Sequence, residues 1–228
     1  YLTNVRYSVF DHMTTEYHDV VFEDGISVLE YYSGSTSWRH PRIRNVTLAQ
    51  SVTDLNNFFR GGYGGTGLLE SINIPSGVII LEEEAFINNP KLHTVTFDDG
   101  SQLSVIQQNV FSGCTALKNA DLSNLPELTQ IDKSAFIRCD LPGVYLTGSP
   151  KLKLIGAYAF AEMTDLQYIR QNLTTDKEQL AKIIKGSGNG SSDWVYGIRN
   201  VVGNMFDEAS QTRDKYILVL ADGENNVN

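Results

Sequence analysis

The side chains that could carry out catalysis or hold a metal ion are few and scattered. The chain has four histidines, and none lies beside a serine or cysteine in a pattern typical of an activated nucleophile. They are His12, His18, His40 and His93. The pairs Asp11-His12 and His18-Asp19 offer metal-binding atoms, but no further ligands cluster near them. We interpret them as polar surface residues and predict no metal site.

Two loops carry sequences that resemble ligand-binding motifs. Gly62-Tyr63-Gly64-Gly65-Thr66-Gly67 matches the Gly-x-Gly-x-x-Gly pattern of dinucleotide-binding loops, which requires a strand before it and a helix after it. A strand-like phrase starts at Leu69 instead, so we interpret the glycines as a turn. Asp98-Asp99-Gly100-Ser101 lacks the spaced acidic ligands of a calcium loop and also favours a turn. Since no phosphate-binding loop or serine-nucleophile motif occurs, we predict no cofactor and no enzymatic activity.

Composition limits the classes of partner. The 228 residues carry a net charge of −9 with a pI near 4.9, which disfavours nonspecific binding to nucleic acid and to anionic membrane surfaces. Hydrophobic residues make up 41% of the chain, yet no apolar run approaches the roughly 18 residues that a membrane-spanning helix needs. Because the sequence starts at Tyr1 with no methionine or signal-like segment, we expect any targeting signal to lie outside it.

The elements that must position any functional residue are repeats. Between Leu69 and Ile169 the chain repeats a phrase of the form apolar-x-x-x-(Ala, Val)-Phe, and then Leu-x-x-apolar-x-apolar. The phenylalanines of the four copies are 25, 25 and 24 residues apart: Phe86, Phe111, Phe136 and Phe160. A period in the twenties predicts a solenoid, and its length is typical of leucine-rich repeats.

The predicted fold is a β-rich α/β solenoid that forms one continuous domain. We expect a right-handed superhelix in which parallel strands stack on one side and short helical turns place each phenylalanine in the core. The solenoid is predicted over residues 43–206, with an insertion at about 171–193. Residues 1–42 are expected to form an N-terminal β cap, an antiparallel meander of the segments Val5–Phe10, Asp19–Phe22 and Ile26–Tyr31. Residues 207–228 are expected to form a C-terminal capping strand and a tail.

The details of the repeat resemble one known family. Leu-x-x-Ile-x-Ile-Pro-x-x-Val at Leu69–Val78, followed by apolar-x-x-x-Ala-Phe-x-x-(Cys, Asn)-x-x-Leu, resembles the BspA-like leucine-rich repeat. The copies at Ile106–Leu117 and Ile131–Leu141 include the cysteine, and the resemblance covers roughly residues 43–220. It implies surface-exposed or secreted proteins that act in adhesion and protein binding, without catalysis. It fixes no ligand, because the exposed faces of a solenoid vary freely between relatives.

The two cysteines occupy the same slot in successive repeats. Cys114 and Cys139 each lie three residues after a repeat phenylalanine, which favours two buried thiols stacked along the core. A disulfide between adjacent coils is the alternative and would require their Cβ atoms to point at each other. The chain departs from the family pattern at Met163 in the cysteine slot and at Ala120 in a strand core slot.

The candidate binding surface follows from the alternation of the strands. If one set of strand residues points inward, the other set forms two outward columns. The first column is Asn45, Ser71, Thr94, Asn119, Gly143 and Tyr168, and the second is Thr47, Asn73, Thr96, Asp121, Tyr145 and Arg170. Tyrosine and arginine are enriched at interface hot spots, so we select Asn119, Asp121, Tyr145, Tyr168 and Arg170 as candidate ligand-binding residues. The alternative is an ordinary solvated sheet face.

Three functional hypotheses remain. The first is an extracellular or cell-surface recognition and adhesion module that binds a protein or glycan, including host extracellular proteins, through the strands. The second is a structural spacer or stalk without a ligand face. The third is a hydrolase with paired carboxylates, for which the predicted face offers only Asp121, with Asp98 at its edge. Potential glycosylation sequons occur at Asn45, Asn172 and Asn189.

Overall fold

The fold was analysed in a computed structural model, which describes residues 2–10, 18–30, 43–62, 64–166 and 168–170. Within these residues the chain forms a parallel-strand β-solenoid of about 5 turns with little helix, which confirms the predicted architecture. The insertion predicted at about 171–193 and the C-terminal cap predicted at 207–228 lie outside the described residues.

The described strands are short and appear in pairs, two for each regular coil. They are β1 (Asn4–Arg6), β2 (His18–Val21), β3 (Val28–Glu30), β4 (Ile43–Thr47), β5 (Ser71–Ile74), β6 (Ile80–Leu81), β7 (Thr94–Phe97), β8 (Val105–Ile106), β9 (Asn119–Ala120), β10 (Gln130–Ile131), β11 (Gly143–Tyr145), β12 (Leu154–Ile155) and β13 (Tyr168–Arg170). A 3₁₀ helix spans Tyr7–Phe10.

The strands form two stacks, and all described ladders are parallel. The first stack has the order β2-β4-β5-β7-β9, followed by the separate ladder β11-β13. The second has the order β12-β10-β8-β6, with the separate ladder β1-β3 near its start. In β5, Ile72 and Ile74 are buried while Ser71 and Asn73 point outward. We call the outward side of the first stack, including β11 and β13, the strand face.

The core is organised around a column of phenylalanine rings. Neighbouring rings lie 5.8, 5.3, 4.9 and 5.4 Å apart between centroids and are close to parallel, in the order Phe59, Phe86, Phe111, Phe136, Phe160. Aliphatic side chains of both strand stacks surround this column, including the fully buried Ile74 of the first stack and Leu81 of the second. The predicted inward placement of the repeat phenylalanines is therefore observed.

The segments that carry these phenylalanines are hydrogen-bonded turns instead of the expected helical turns. In the coil of Phe86, the N–H of Ala85 donates to the carbonyl of Glu82 at 3.1 Å, and Glu84 between them has a φ of 63°. The residues at the same position in the next coils also have positive φ: Asn109, Ser134 and Tyr158. A left-handed residue cannot continue a right-handed helix, so the chain turns sharply at this point in each coil.

The N-terminal segment is a further coil, and the antiparallel pairing expected for it is wrong. β1 pairs with β3 in parallel, with Val5 opposite Leu29, and β2 pairs with β4 in parallel. The segment Val5–Phe10 has the same apolar-x-x-x-Val-Phe pattern as Ile106–Phe111. Its alternation of apolar and polar residues resembled a strand, but after Arg6 it forms the 3₁₀ helix.

The first stack is interrupted between β9 and β11, since no ladder joins these two strands in the described part of the chain. The interruption coincides with Ala120, which fills a core slot that Ile72 and Val95 occupy in earlier coils. The two coils still touch on the loop side. Gly148 lies so close to Ser123 that a Cβ atom there would be 1.7 Å from the carbonyl oxygen of Ser123.

We expect Phe111→Ala to lower the free energy of unfolding by about 3–5 kcal/mol, because it removes a fully buried ring that stacks on both neighbours. Chemical denaturation measures this change. Ile79→Ala is the control, since Ile79 is 51% exposed and its truncation should change stability by less than about 0.5 kcal/mol. Equal losses in the two variants would contradict the role of the phenylalanine column.

We expect Gly148→Ala to destabilise the protein by about 1–3 kcal/mol, because the added Cβ would push the coil of Gly148 away from Ser123. Gly77→Ala is the matched control, since its added Cβ would meet Thr53 at an ordinary contact distance of 3.4 Å. Denaturation midpoints of both variants test the prediction. An unchanged denaturation midpoint of Gly148→Ala would show that the two coils do not need this close approach.

Candidate functional site

The predicted columns of the strand face agree with the observed register. Asn45 pairs with Ser71, Ser71 with Thr94, and Thr94 with Asn119. In the second column, Asn73 lies opposite Thr96. The additional N-terminal coil extends the first column by Asp19 and the second by Val21. Sequence reasoning missed these two residues, although Val20-x-Phe22-x-x-Gly25-Ile26-x-x-Leu29 has the spacing of Ile72-x-Ile74-x-x-Gly77-Val78-x-x-Leu81.

The N-terminal half of the strand face is held by hydrogen bonds between its own side chains. The hydroxyl of Thr96 donates to the amide oxygen of Asn73 at 2.7 Å. The amide nitrogen of Asn73 donates to the carboxylate of Asp98 at 2.6 Å, and that of Gln50 donates to the other oxygen of Asp98 at 2.5 Å. These groups satisfy one another across three coils, so they offer fewer open donors and acceptors to a ligand.

Asn45, the asparagine of the first sequon, also makes a side-chain hydrogen bond on the strand face. It lies within β4, an internal strand of the first stack, and its amide nitrogen donates to the carboxylate of Asp19 at 3.0 Å. Arg44 also contacts Asp19, at 3.5 Å. Attachment of a glycan to Asn45 would disrupt this arrangement, whereas Asn172 and Asn189 lie outside the described residues.

The C-terminal half carries the predicted ligand-binding residues on two ladders. Asn119 ends the column on β9, and Asp121 follows directly after that strand; both are exposed. The carboxylate of Asp121 accepts hydrogen bonds from the N–H and the hydroxyl of Ser123, at 2.9 and 2.6 Å, so one of its oxygens is already engaged in its own turn.

The aromatic and cationic residues lie on the second of these ladders. Tyr145 on β11 is 40% exposed and pairs with Arg170 on β13, while Gly143 pairs with Tyr168. Paired strands lie about 4.8 Å apart, so the register places Tyr168 and Arg170 in the outward columns beside Gly143 and Tyr145. The side chains of Tyr168 and Arg170 are outside the described part of the structure. The five predicted residues thus fall into two groups, separated by the break between β9 and β11.

The ion pairs of the described residues join neighbouring coils. Six occur, each between residues 22–25 positions apart: Arg6–Glu30, Arg44–Asp19, Arg60–Glu84, Lys118–Asp140, Arg138–Glu162 and Lys151–Glu127. Most of these groups are well exposed, so each pair adds little stability in water. These six ion pairs therefore follow the stacking of the coils.

The described residues that could do chemistry lie in different parts of the fold. No group of three or more histidine, cysteine, aspartate or glutamate side chains within the described residues could hold a metal ion. His93 is exposed and shares a hydrogen bond of 2.9 Å with Thr94. The glycine-rich loop leads into β5 without a helix, and Gly61 and Gly67 pack against the backbone and side chains of Asn88 and Asn89. The glycines therefore permit close packing between coils.

Glu82 is the acidic group whose environment most resembles that of a catalytic acid. Burial raises its pKa, and the neighbouring charge of Asp54 raises it further. One carboxylate oxygen of Glu82 is buried without a hydrogen-bond partner within the described residues. Yet Glu82 directly follows β6, which belongs to the second stack and not to the strand face. A raised pKa alone does not define an active site.

The two cysteines are buried free thiols, which settles the choice between thiols and a disulfide. The thiol of Cys114 donates to the carbonyl of Phe86 at 3.2 Å, and that of Cys139 donates to the carbonyl of Phe111 at 3.3 Å. In the preceding coil, Asn89 fills this slot and donates to the carbonyls of Phe59 and Phe86. In these three coils the residue in the slot thus donates to the carbonyl of the preceding phenylalanine, a role that spacing alone did not reveal. Met163, in the same slot of the next coil, has no donor.

The parallel coils, the two strand stacks and the phenylalanine column define a leucine-rich repeat solenoid. The family model of the BspA type leucine-rich repeat region matches six copies over residues 34–167, and the chain belongs to this family. Comparisons with curated proteins and with solved structures found no match. The structure adds the coil of residues 2–30, which lies ahead of the matched range.

Family membership suggests a surface repeat protein, since BspA type proteins are typically surface-associated. The leucine-rich solenoid is typically a non-catalytic scaffold for protein binding. Among the described residues, no helix is long and apolar enough to cross a membrane.

We expect both thiols to resist modification in the native protein at pH 8. Burial raises the pKa of Cys114 to about 12 and that of Cys139 well above its ordinary value near 9. Only the thiolate reacts, so the reaction should require unfolding. A thiol-reactive dye in native buffer and in denaturant measures this, with Ile79→Cys as a control that reacts in the native state. Fast modification of native Cys114 would contradict its burial.

The same shifts predict a loss of stability at high pH. The pKa of the Cys114 thiol in the folded state lies above its pKa in the unfolded state. The contribution of the uncharged thiol to the free energy of unfolding is therefore complete below about pH 9 and is lost as the pH rises towards about 12. Replacing both cysteines by serine should reduce this alkaline loss relative to the wild type. Equal pH profiles of unfolding free energy for the two proteins would contradict the prediction.

Proposed function

We propose that the chain is an extracellular or cell-surface recognition and adhesion module, which binds its partner through the C-terminal half of the strand face. The partner is a protein or glycan, with host extracellular proteins among the candidates. Asn119, Asp121, Tyr145, Tyr168 and Arg170 are the proposed contact residues. The family supports a binding role in general terms, and the residues and partner class are our proposal.

The observation that carries this proposal is the contrast between the two halves of the strand face. In the N-terminal half, Asn73, Asp98 and Gln50 satisfy one another's hydrogen bonds. In the C-terminal half, Tyr145 presents a large ring to solvent, and its strand partner is the arginine Arg170. Tyrosine and arginine are residue types enriched at interface hot spots, and a rigid aromatic ring supplies contact area at a low entropic cost.

The geometry also favours an extended contact over a deep pocket. Within each ladder of the strand face the parallel strands lie at a regular spacing, and Gly143, which has no side chain, is paired with the position of Tyr168 in the first column. Such a surface suits a protein loop, or a glycan whose rings stack on tyrosine. We favour a protein as partner, because leucine-rich solenoids generally bind proteins.

A structural spacer remains the second candidate. It is favoured by the ion pairs and hydrogen bonds that join each coil to the next, which stiffen a solenoid whatever its surface binds. The two candidates differ in what they require of Tyr145, since a spacer does not need an exposed ring in a solvent-facing column.

The experiment is a binding screen of the intact chain against extracellular-matrix proteins and a glycan array, followed by the double substitution Tyr145→Ala and Tyr168→Ala. We expect the double variant to weaken binding of the identified partner by roughly tenfold or more, because both changes remove aromatic contact area. Thermal unfolding should be almost unchanged, since Tyr145 lies outside the core.

Thr47→Ala is the matched control, because Thr47 is exposed in the same column at the opposite end of the strand face. It should leave the affinity unchanged. An unaltered affinity of the double variant would exclude this half of the face as the binding surface. The absence of any partner in both arms of the screen would favour the spacer.

A further inference from the structure

The second strand stack has its own column of outward side chains, and most of them are apolar. Ile80 pairs with Val105, Val105 with Gln130, and Gln130 with Leu154. The residue that follows each of these on its strand is buried, so the four side chains alternate to the outside. Ile80 is 37% exposed, and Ile79 directly before it is 51% exposed. The stack therefore presents apolar surface on the side away from the core.

Ile79 distinguishes its coil from the other described coils. The N–H of Ser104 donates to the carbonyl of Ile79 at 2.8 Å, which identifies the equivalent position in the next coil. In the other described coils this slot holds a polar residue: Thr3, Ser27, Thr53, Ser104, Thr129 and Lys153. Ile79, Ile80 and Val105 therefore form a group of adjoining apolar side chains on two coils. Single exposed apolar residues are ordinary, whereas adjoining ones with a polar rim are typical of interaction sites.

Two carboxylates border this apolar group. Asp54 is exposed and pairs with Val28 of the preceding coil, which places it in the same outward column as Ile80. Glu82 follows β6 and accepts a hydrogen bond from the backbone N–H of Asn56. Burial raises the pKa of Glu82 and the charge of Asp54 raises it further, so the two carboxylates are near each other. A cation beside them would stabilise the charged form that burial disfavours.

The segments on this side of the three coils are acidic. They contain Asp54, Glu82, Glu83 and Glu84 and no lysine or arginine: residues 53–56, 79–84 and 104–109. Glu84 pairs with Arg60, whereas Asp54 and Glu82 enter none of the ion pairs among the described residues. One carboxylate oxygen of Glu82 is buried with no hydrogen-bond partner in this part of the chain. We call Asp54, Ile79, Ile80, Glu82 and Val105 the acidic apolar patch.

We propose that the acidic apolar patch is a second docking surface, which binds a basic segment of a partner protein. Apolar side chains of that segment cover the two isoleucines, and a lysine or arginine lies beside the carboxylates. Charge complementarity selects this occupant, because a partner without a cation would bury the carboxylates unpaired. A second copy of the chain fits poorly, since its net charge is −9 and the same patch would place acid against acid.

The test measures binding of three short synthetic peptides to the intact chain by fluorescence anisotropy. Lysine alternates with leucine in the first, glutamate alternates with leucine in the second, and lysine alternates with serine in the third. The first should bind roughly tenfold more tightly than either of the others, because it alone supplies both charge and apolar area. Added salt should weaken its binding, since part of the attraction is between exposed charges.

Two double variants then test the patch itself. Ile79→Ser with Ile80→Ser removes the apolar group, and Asp54→Asn with Glu82→Gln removes the charge while leaving an oxygen for the N–H of Asn56. Each should weaken binding of the first peptide by roughly tenfold. Circular dichroism checks folding. Asp54→Asn alone, at an exposed position, should still weaken binding several-fold if the second double variant unfolds.

Asp99→Asn is the matched control, because it removes one exposed charge from the turn after β7 and should leave the affinity unchanged. Tyr145→Ala with Tyr168→Ala should also have no effect on this peptide, so the two docking surfaces are tested independently. Equal binding of all three peptides, absence of binding by the first, or an unaltered affinity in either folded double variant would each overturn the proposal.

Discussion

The structure depends on how each coil satisfies the backbone of the phenylalanine turn in the coil before it. The N–H of Phe86 donates to the carbonyl of Val110, and its carbonyl accepts the thiol of Cys114. Phe111 makes the same two bonds to the next coil, with Ala135 and Cys139. A buried peptide group without a partner is costly, so the turns must stack in register. This requirement keeps the period near 25 residues, and the stacked rings follow from it.

The same requirement determines where the sequence can vary. Slots that face the column must be apolar or, as at Asn89 and Cys114, must donate to a carbonyl. The left-handed residues at the sharp bends, such as Glu84 and Ser134, are constrained in backbone angle more than in side chain. Neither constraint applies to the outward columns of the strand face, so residues there can be selected for contact with a partner. This is why a recognition surface is sought there and not among the cysteines of the turns.

Much of this could be predicted from the sequence, because the phenylalanine spacing sets the register. It placed Asn45, Ser71, Thr94 and Asn119 in one column, as the ladders show. The prediction was wrong at Val5–Phe10. The alternation of apolar and polar residues there resembles that of a strand, and this segment is far along the sequence from the regular copies. The sequence did not predict the positive φ of Glu84, because glutamate has no preference for the left-handed backbone conformation. The bond between Gln50 and Asp98 joins residues 48 positions apart, across two coils, and no nearest-neighbour pattern reveals it.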